Sequence, residues 1–390
     1  MSNLNILSQL VQILPHDVFN RIVKTYQGDK HSKGLNSWTH LISMIFCHLG
    51  QDSSVRDISN GLRSITGNLN HLGIKRAPCK SSLSYMNAHR DWHLFKDFYF
   101  ALLKQFESQW KGVRKGLPRL KRKIFLMDAT TIPLCLSLFD WAKFRSKKGG
   151  VKLHLVLDYD GCLPVFAQVT KARKHEVRIA QKLPFPAGSV VVFDMGYIDY
   201  SWLFNLDSSK VFFVTRLKDN ADYSILEEYK IDKKKDPYML QDADIQLNGF
   251  YSSRHYPAPL RIVRILDSIT GKELTFLTNN FAWSPRTVAD IYKERWNIEI
   301  FFKQIKQHLR IKSFIGTSEN AVQIQIWTAL ITMLLLQYLK AQAQYGWHLS
   351  NLATFIRLNL FTKIVLMQWL NKPFLSNKEI NTQQLIVFSG

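Results

Sequence analysis

Long apolar runs are missing from this 390-residue chain. The longest, IWTALITMLLLQYL from Ile326, covers about fourteen residues between glutamines, short of the roughly twenty that a membrane-crossing helix needs. It is expected to be a buried core helix, and no membrane partner is expected. Cysteine is scarce: Cys47, Cys79, Cys135 and Cys162 stand far apart with no C-x-x-C pair, which argues against a zinc site or a disulfide framework and suits a reducing, intracellular compartment. The opening MSNLNILSQLVQILPHD has no basic segment ahead of a long apolar core, so no targeting signal is expected. Acid is also in short supply. There are 30 Asp and Glu against 52 Lys and Arg, a formal charge of +22. That balance belongs to a polyanion binder, and at this level nucleic acid, a membrane surface and a ribosomal partner all fit.

What is present is enough apolar material, 46% with 13% aromatic, for proper cores in two or three domains, or in one large domain with an insertion. Residues 1–110 carry helical periodicity and are expected to form an all-helical module. Within it, Ser53 to Arg90 holds two short helical pieces that could form a helix-turn-helix, with Lys80 to Arg90 offering Ser, Tyr, Asn, His and Arg side chains to a DNA groove. A plain bundle contains similar helices, and both remain open. KGVRKGLPRLKRK, residues 111–123, has seven basic residues in thirteen and is expected to be a linker able to contact phosphate.

From Ile124 the texture changes to strands. IFLMDATTIPL, GVKLHLVLDYDG and LPVFAQVTKA are joined by short turns, and a helix-strand-helix-strand pattern follows through SVVVFDMGY and KVFFVTRLK. This implies an α/β domain over residues 124–390, a mixed sheet with helices packed on it. Residues 218–280 interrupt the pattern as a mostly β insertion. The carboxy-terminal helices, WTALITMLLLQYLKAQAQ and SNLATFIRLNLFTKIVLMQWL, are assigned to this second domain, covering its sheet or a partner.

After the insertion, Ser284 is placed to cap a helix with Pro285 at its first position, and YKERWNIEIFFKQIK continues it. At about 100° per residue, Ile298, Phe301, Ile305 and Leu309 share an arc of roughly 80°, and Tyr292, Arg295, Glu299 and Lys306 share a neighbouring arc of roughly 60°. One face packs; the next carries a tyrosine, two cations and a carboxylate. An Arg and a Glu four apart are ordinarily a solvated ion pair. Two strand-associated acids change the balance, however: Asp128 follows IFLM and Asp194 follows SVVVF, each at or near a strand end. One such Asp is ordinarily a turn residue or a cap. Three clustered acids repel unless a cation neutralises them, and Mg2+, which prefers hard oxygen ligands, does this well.

These residues together resemble the DDE transposases of bacterial insertion sequences, in the branch called the insertion-sequence-four family, which has an RNase H-like catalytic domain. The resemblance rests on DATT at Asp128, on GGVKLHLVLDYDGCLP, on FDMGY at Asp194, and on Tyr292, Arg295, Glu299 and Lys306, which match the family signature Y-x2-R-x3-E-x6-K. It covers residues 120–340. LPHDVFNRIVKTY and SSVRDISNGLR also resemble the DNA-end recognition domain ahead of many such catalytic domains. A β insertion before the Glu is a family feature too, and suits the 105 residues from Asp194 to Glu299. Met195 departs from the pattern, standing where many members carry a basic residue.

The resemblance implies a cut-and-paste enzyme of the bacterial cytoplasm and nucleoid. Such an enzyme binds the terminal inverted repeats of its element in double-stranded DNA and hydrolyses the ends with two Mg2+ ions, for which Mn2+ can substitute, held by Asp128, Asp194 and Glu299. It passes through a hairpin and joins the 3′ ends to target DNA, working as a homodimer. Tyr292, Arg295 and Lys306 would position the end phosphates, and Trp296 would stack on a flipped base, with Trp283 a second candidate; core packing is the alternative for both. Two other functions stay open: a catalytically inactive, transposase-derived DNA-binding regulator, which the three acids oppose, and another RNase H-like nuclease acting on branched DNA, which the helical module opposes. Lys152, His154 and the KKGG loop are further candidates for DNA contact or for plain surface.

Overall fold

The computed structural model of the protein describes residues 3–30, 32, 34–65, 69–107, 122–145, 148–172, 176–234, 236–309, 311 and 314–374. They fall into two compact units, one of residues 1–110 with 304–390 and one of residues 111–303. Apart from its last two residues, the basic stretch expected as a linker lies outside the described residues.

The first unit is helical: α1 (Ile6–Gln12), α2 (His16–Thr25), α3 (Ser37–Gly50), α4 (Val55–Ser64), α5 (Lys80–His89) and α6 (His93–Glu107) come from the amino-terminal part. Asn5, Asn36 and Ser54 cap α1, α3 and α4 by accepting from N–H groups that the first turn leaves unpaired. The carboxy-terminal part adds α12 (Glu319–Gln342), α13 (Leu349–Leu358) and α14 (Leu366–Asn371). This corrects the expected domain division, in which these helices belonged with the sheet. A helix that is apolar all round must be covered on several sides. α12 is long and apolar enough to cross a membrane, yet its side chains from Ala321 to Gln337 are buried, and α3, α5 and α6 pack against it. The two segments are also tied directly: Gln9 Nε2 donates to the Ile364 carbonyl at 2.6 Å, and Gln9 Oε1 accepts from Leu366 N at 2.8 Å.

Two of the groove-facing candidates, Asn87 on α5 and Arg90 just after it, point inward. Asn87 Oδ1 meets His40 Nε2 at 2.7 Å, and the Arg90 guanidinium donates to the Leu35 carbonyl at 2.8 Å. The exposed residues of α5 are Lys80, Ser81, Ser84, Tyr85 and His89.

The second unit is built on a ten-stranded sheet. β1 (Ile124–Leu134), β3 (Lys148–Asp158) and β4 (Leu163–Lys171) form an antiparallel meander, with the short β2 (Lys143–Arg145) also on β3. After α7 (Val177–Ala180), β5 (Val190–Phe193) pairs in parallel with β1; after α8 (Tyr200–Ser208), β6 (Phe212–Arg216) pairs in parallel with β5. The order β4-β3-β1-β5-β6, with β3 antiparallel to both β1 and β4, and β5 and β6 parallel to β1, is the RNase H-like arrangement. The all-apolar β5 is buried throughout, as a central parallel strand requires.

The segment expected as a β insertion holds β7 (Tyr223–Glu228), β8 (Met239–Leu247), α9 (Phe250–His255), β9 (Leu260–Leu266) and β10 (Glu273–Thr278). It extends the same sheet, because β10 pairs antiparallel with β6. Where the chain leaves β10, a buried buckle fixes its course. Arg261 grips Asp242 through Nε and Nη2 at 2.7 and 2.8 Å, and its Nη1 donates to the Phe281 and Trp283 carbonyls at 3.2 and 2.7 Å. α10 (Pro285–Lys293) starts next, with Ser284 accepting from Thr287 N as the expected cap and Pro285 in the first turn.

Candidate active site

β1 and β5 run in parallel with Leu126 opposite Val192. Two residues further along each chain come Asp128 and Asp194. Side chains alternate along a strand with a period of two, so both carboxylates leave the same face, at one level, on neighbouring chain segments. Asp128 is not at a strand end, as the sequence suggested: β1 continues to Leu134 on the edge it shares with β3. The strand that ends at this level is β5, which opens the other edge of β1 beside Asp128.

Asp194 keeps extended backbone and caps a 3-10 turn, Met195–Tyr197, its Oδ1 accepting from Gly196 N at 2.6 Å. Glycine is needed there. A Cβ on residue 196 would lie 2.8 Å from that same carboxylate oxygen.

The signature residues do not lie on one unbroken helix. α10 ends at Lys293 and α11 (Trp296–His308) starts three residues later. Between them the backbone tightens: Asn297 N donates to the Glu294 carbonyl and Ile298 N to the Arg295 carbonyl, each three residues back. Asn297 Nδ2 adds a 2.8 Å bond to the Glu294 carbonyl and another, at 2.8 Å, to the Glu294 carboxylate. These side-chain bonds compete with the α-helical ladder and hold the break.

The break keeps three of the four signature residues together. The Arg295 guanidinium sits 5.5 Å from the Tyr292 ring centroid, donates to Glu299 Oε1 at 2.6 Å, and lies 3.5 Å from Asp128 Oδ2. Lys306 is in the last turn of α11, about 10 Å along the helix from Glu299. As the periodicity predicted, Ile298, Phe301, Ile305 and Leu309 are buried. Trp296 is 60% exposed, so it is not a packing residue. Trp283 packs against Phe212, with ring centroids 5.4 Å apart.

Charge is costly at Asp128. Burial pushes its carboxyl up to about 6, with the Asp194 and Glu176 carboxylates adding to the rise, against the opposing pull of the Ala129 N–H and of Arg295. Asp194 and Glu176 therefore stand within electrostatic reach of Asp128. Among the described residues, no three acidic, histidine or cysteine groups already converge on one point as a metal cage would; Glu299 is linked to Asp128 through Arg295. The donor set nevertheless suits a hard divalent cation. All three side chains are carboxylates, and a positive charge already sits between two of them.

Sequence reasoning missed Glu176 and undervalued Tyr197. Glu176 accepts from Lys152 Nζ at 2.7 Å, and Glu176 and Tyr197 line a small cavity beside Asp128. His154 is buried, 2.9 Å from Thr170 Oγ1, so it is a core residue and not a DNA contact. The only advance signal for Tyr197 is its place in FDMGY.

The family model described as "Transposase DDE domain" matches residues 119–335, and a domain of unknown function matches residues 2–75. A relative from Sinorhizobium fredii that carries the name transposase y4zB is 33% identical over 263 residues, 67% of this chain and 71% of its own length. A Synechocystis protein named as a transposase of insertion sequence element IS4SA is 25% identical over 75% of this chain and 81% of its own length. A piggyBac transposase synaptic complex with hairpin DNA, solved by cryo-electron microscopy, is similar at a TM-score of 0.43 and 9% identity, covering 98% of this chain and 85% of that one.

Proposed function

The chain belongs to the DDE transposase family, a family of enzymes, and from that premise we propose that it is the transposase of an insertion sequence, cutting the DNA at the ends of its element and joining the freed 3′ ends to a target. Asp128, Asp194 and Glu299 are the catalytic acids. The observation that carries this is the β1–β5 register, which puts Asp128 and Asp194 side by side, with Glu299 tied to the same point through Arg295.

The three acids would hold Mg2+ or Mn2+, two ions in the working complex. Bound there, they would supply the Lewis acidity that hydrolysis of a phosphodiester needs. Arg295, bonded to Glu299 and close to Asp128, would offer its remaining N–H groups to a non-bridging phosphate oxygen. Tyr292 packs under the guanidinium and fixes its plane. Lys306, further along α11, would contact phosphate outside the scissile step. The exposed indole of Trp296 suits stacking on a flipped base at a hairpin end. In the helical unit, the exposed Lys80, Ser81, Tyr85 and His89 of α5, preceded by exposed Lys75 and Arg76, offer basic and polar groups that suit reading the element's ends. Pairing of two ends would require two copies of the chain.

The test is cleavage of a labelled duplex carrying the element's end, in Mg2+, Mn2+ or EDTA, by wild type and by Asp128→Asn, Asp194→Asn and Glu299→Gln. Metal-dependent nicking lost in all three, with end binding kept, is expected. Binding without cleavage by the folded wild type would instead identify a regulator.

A further inference from the structure

Beneath Asp128 lies a cavity lined by Met127, Asp128, His154, Glu176, Ala180 and Tyr197, among others, with about 10 Å³ of room for a water's centre, the size of a single-water site. Tyr197 is 2% exposed, and its hydroxyl has no hydrogen-bond partner among the described residues. A buried hydroxyl left unpaired costs stability. This one stands among acceptors. Burial drives the phenol's pKa up, and the Glu176, Asp128 and Asp194 carboxylates each drive it further, so all three are within electrostatic reach.

Of these, Glu176 is engaged by Lys152 Nζ at 2.7 Å, and Asp194 Oδ1 is engaged by Gly196 N at 2.6 Å. Asp128 takes one short bond, 2.8 Å from Ala129 N to Oδ1, while Oδ2 has only the 3.5 Å approach of Arg295. A carboxylate oxygen accepts at two sites, so each of the three has capacity to spare; of them, Asp128 and Glu176 line the cavity together with Tyr197. We propose that Tyr197 is a positioning residue: its phenolic O–H, through the one water that the cavity admits, holds the Asp128 carboxylate turned toward Asp194, in the orientation that a shared cation requires. Glu176, bonded to Lys152 Nζ at 2.7 Å, lines the same cavity. The proposal rests on the active site described above. It gives the tyrosine of FDMGY a task at a distance from the reacting atoms, through the aspartate that touches them.

Tyr197→Phe removes the hydroxyl and keeps the ring that packs on Phe193. Mn2+ binding to the DNA-free protein, followed by electron paramagnetic resonance, is expected to weaken about tenfold or more. Cleavage should fall at limiting Mn2+ and recover when Mn2+ is raised, while the thermal midpoint in EDTA should not drop. Asp128→Asn is measured beside it and is expected to lose Mn2+ binding. Should Asp128→Asn lose the ion while Tyr197→Phe binds it within twofold of wild type, the positioning role is wrong and the active site stands. A fall in thermal midpoint in EDTA that accounts for the weaker binding would reduce Tyr197 to a packing residue and overturn the proposal. Retention of Mn2+ by Asp128→Asn would overturn both the site and the proposal.

Discussion

Arg295 holds Glu299 through a 2.6 Å hydrogen bond from Nη2 to Oε1, while Nη1 of the same guanidinium lies 3.5 Å from Asp128 Oδ2. One cation thus stands between the helix acid and the strand acid. The guanidinium is 14% exposed and the Asp128 side chain 19%, so neither partner is well screened by water. Arg295→Gln should therefore leave two carboxylates without their counter-charge and lower stability at pH 8 by about 2 kcal/mol, measured by urea unfolding in EDTA. Cleavage should fall at least about 100-fold, because phosphate loses its bidentate partner. Wild-type cleavage by Arg295→Gln would remove this residue from the site.

Asp128 gives a pH dependence of definite sign. Its carboxyl is raised from 3.8 to about 6, so the fold disfavours the ionised form. That penalty is fully present above the folded pKa, shrinks as pH falls through about 6, and is gone below the unfolded value near 3.8. Asp128→Asn should therefore be more stable than wild type at pH 8 in EDTA, by about 2 kcal/mol, with the gap closing between pH 6 and pH 4. Metal-dependent cleavage by wild type should decline below about pH 6, since a proton then competes with the ion for Asp128. A wild type more stable than the variant at pH 8 would contradict the assigned environment.

Gly196→Ala brings a Cβ to 2.8 Å from Asp194 Oδ1. The carboxylate must turn, and a displacement of about 1 Å in a catalytic group costs about 100-fold in rate. Far-ultraviolet circular dichroism should be unchanged and the cleavage rate at saturating metal strongly reduced. Retained cleavage would show that Asp194 works from another rotamer.

Arg261→Met breaks the buckle at the exit of β10. It strands the Asp242 carboxylate, 4% exposed as a residue, and removes the donor to the Phe281 and Trp283 carbonyls. A loss of about 3–5 kcal/mol is expected in urea unfolding, although no atom of the proposed site has been touched. Arg261→Lys should recover only part of it, because an ammonium cannot replace the fork.

Trp296→Ala should change stability by less than about 0.5 kcal/mol, as for other exposed substitutions. If the indole stacks on a flipped base, a 2-aminopurine probe near the element's end should remain quenched with the variant where the wild type gives a fluorescence change. Equal signals from both proteins would rule stacking out.

Local chemistry made much of this protein legible from its sequence. Strand alternation, the Ser284–Pro285 helix start and the 3.6-residue spacing of Ile298, Phe301 and Ile305 depend on neighbouring residues, and these features stand in the structure as expected. The resemblance to the DDE transposases was likewise readable, because it rests on short motifs in the chain, and the family match agrees with it. Tertiary structure decided what depends on distant partners. Asp128 sits in mid-strand because β1 goes on pairing with β3 to Leu134, its other edge being open where β5 ends, and α12 joins the amino-terminal helices because a helix apolar all round needs covering from several sides. The two-helix form of the signature rests on Asn297 turning back to Glu294. Glu176 and Tyr197 come to Asp128 only through the sheet, since a side chain's electrostatic neighbours are set by packing across strands and not by spacing along the chain.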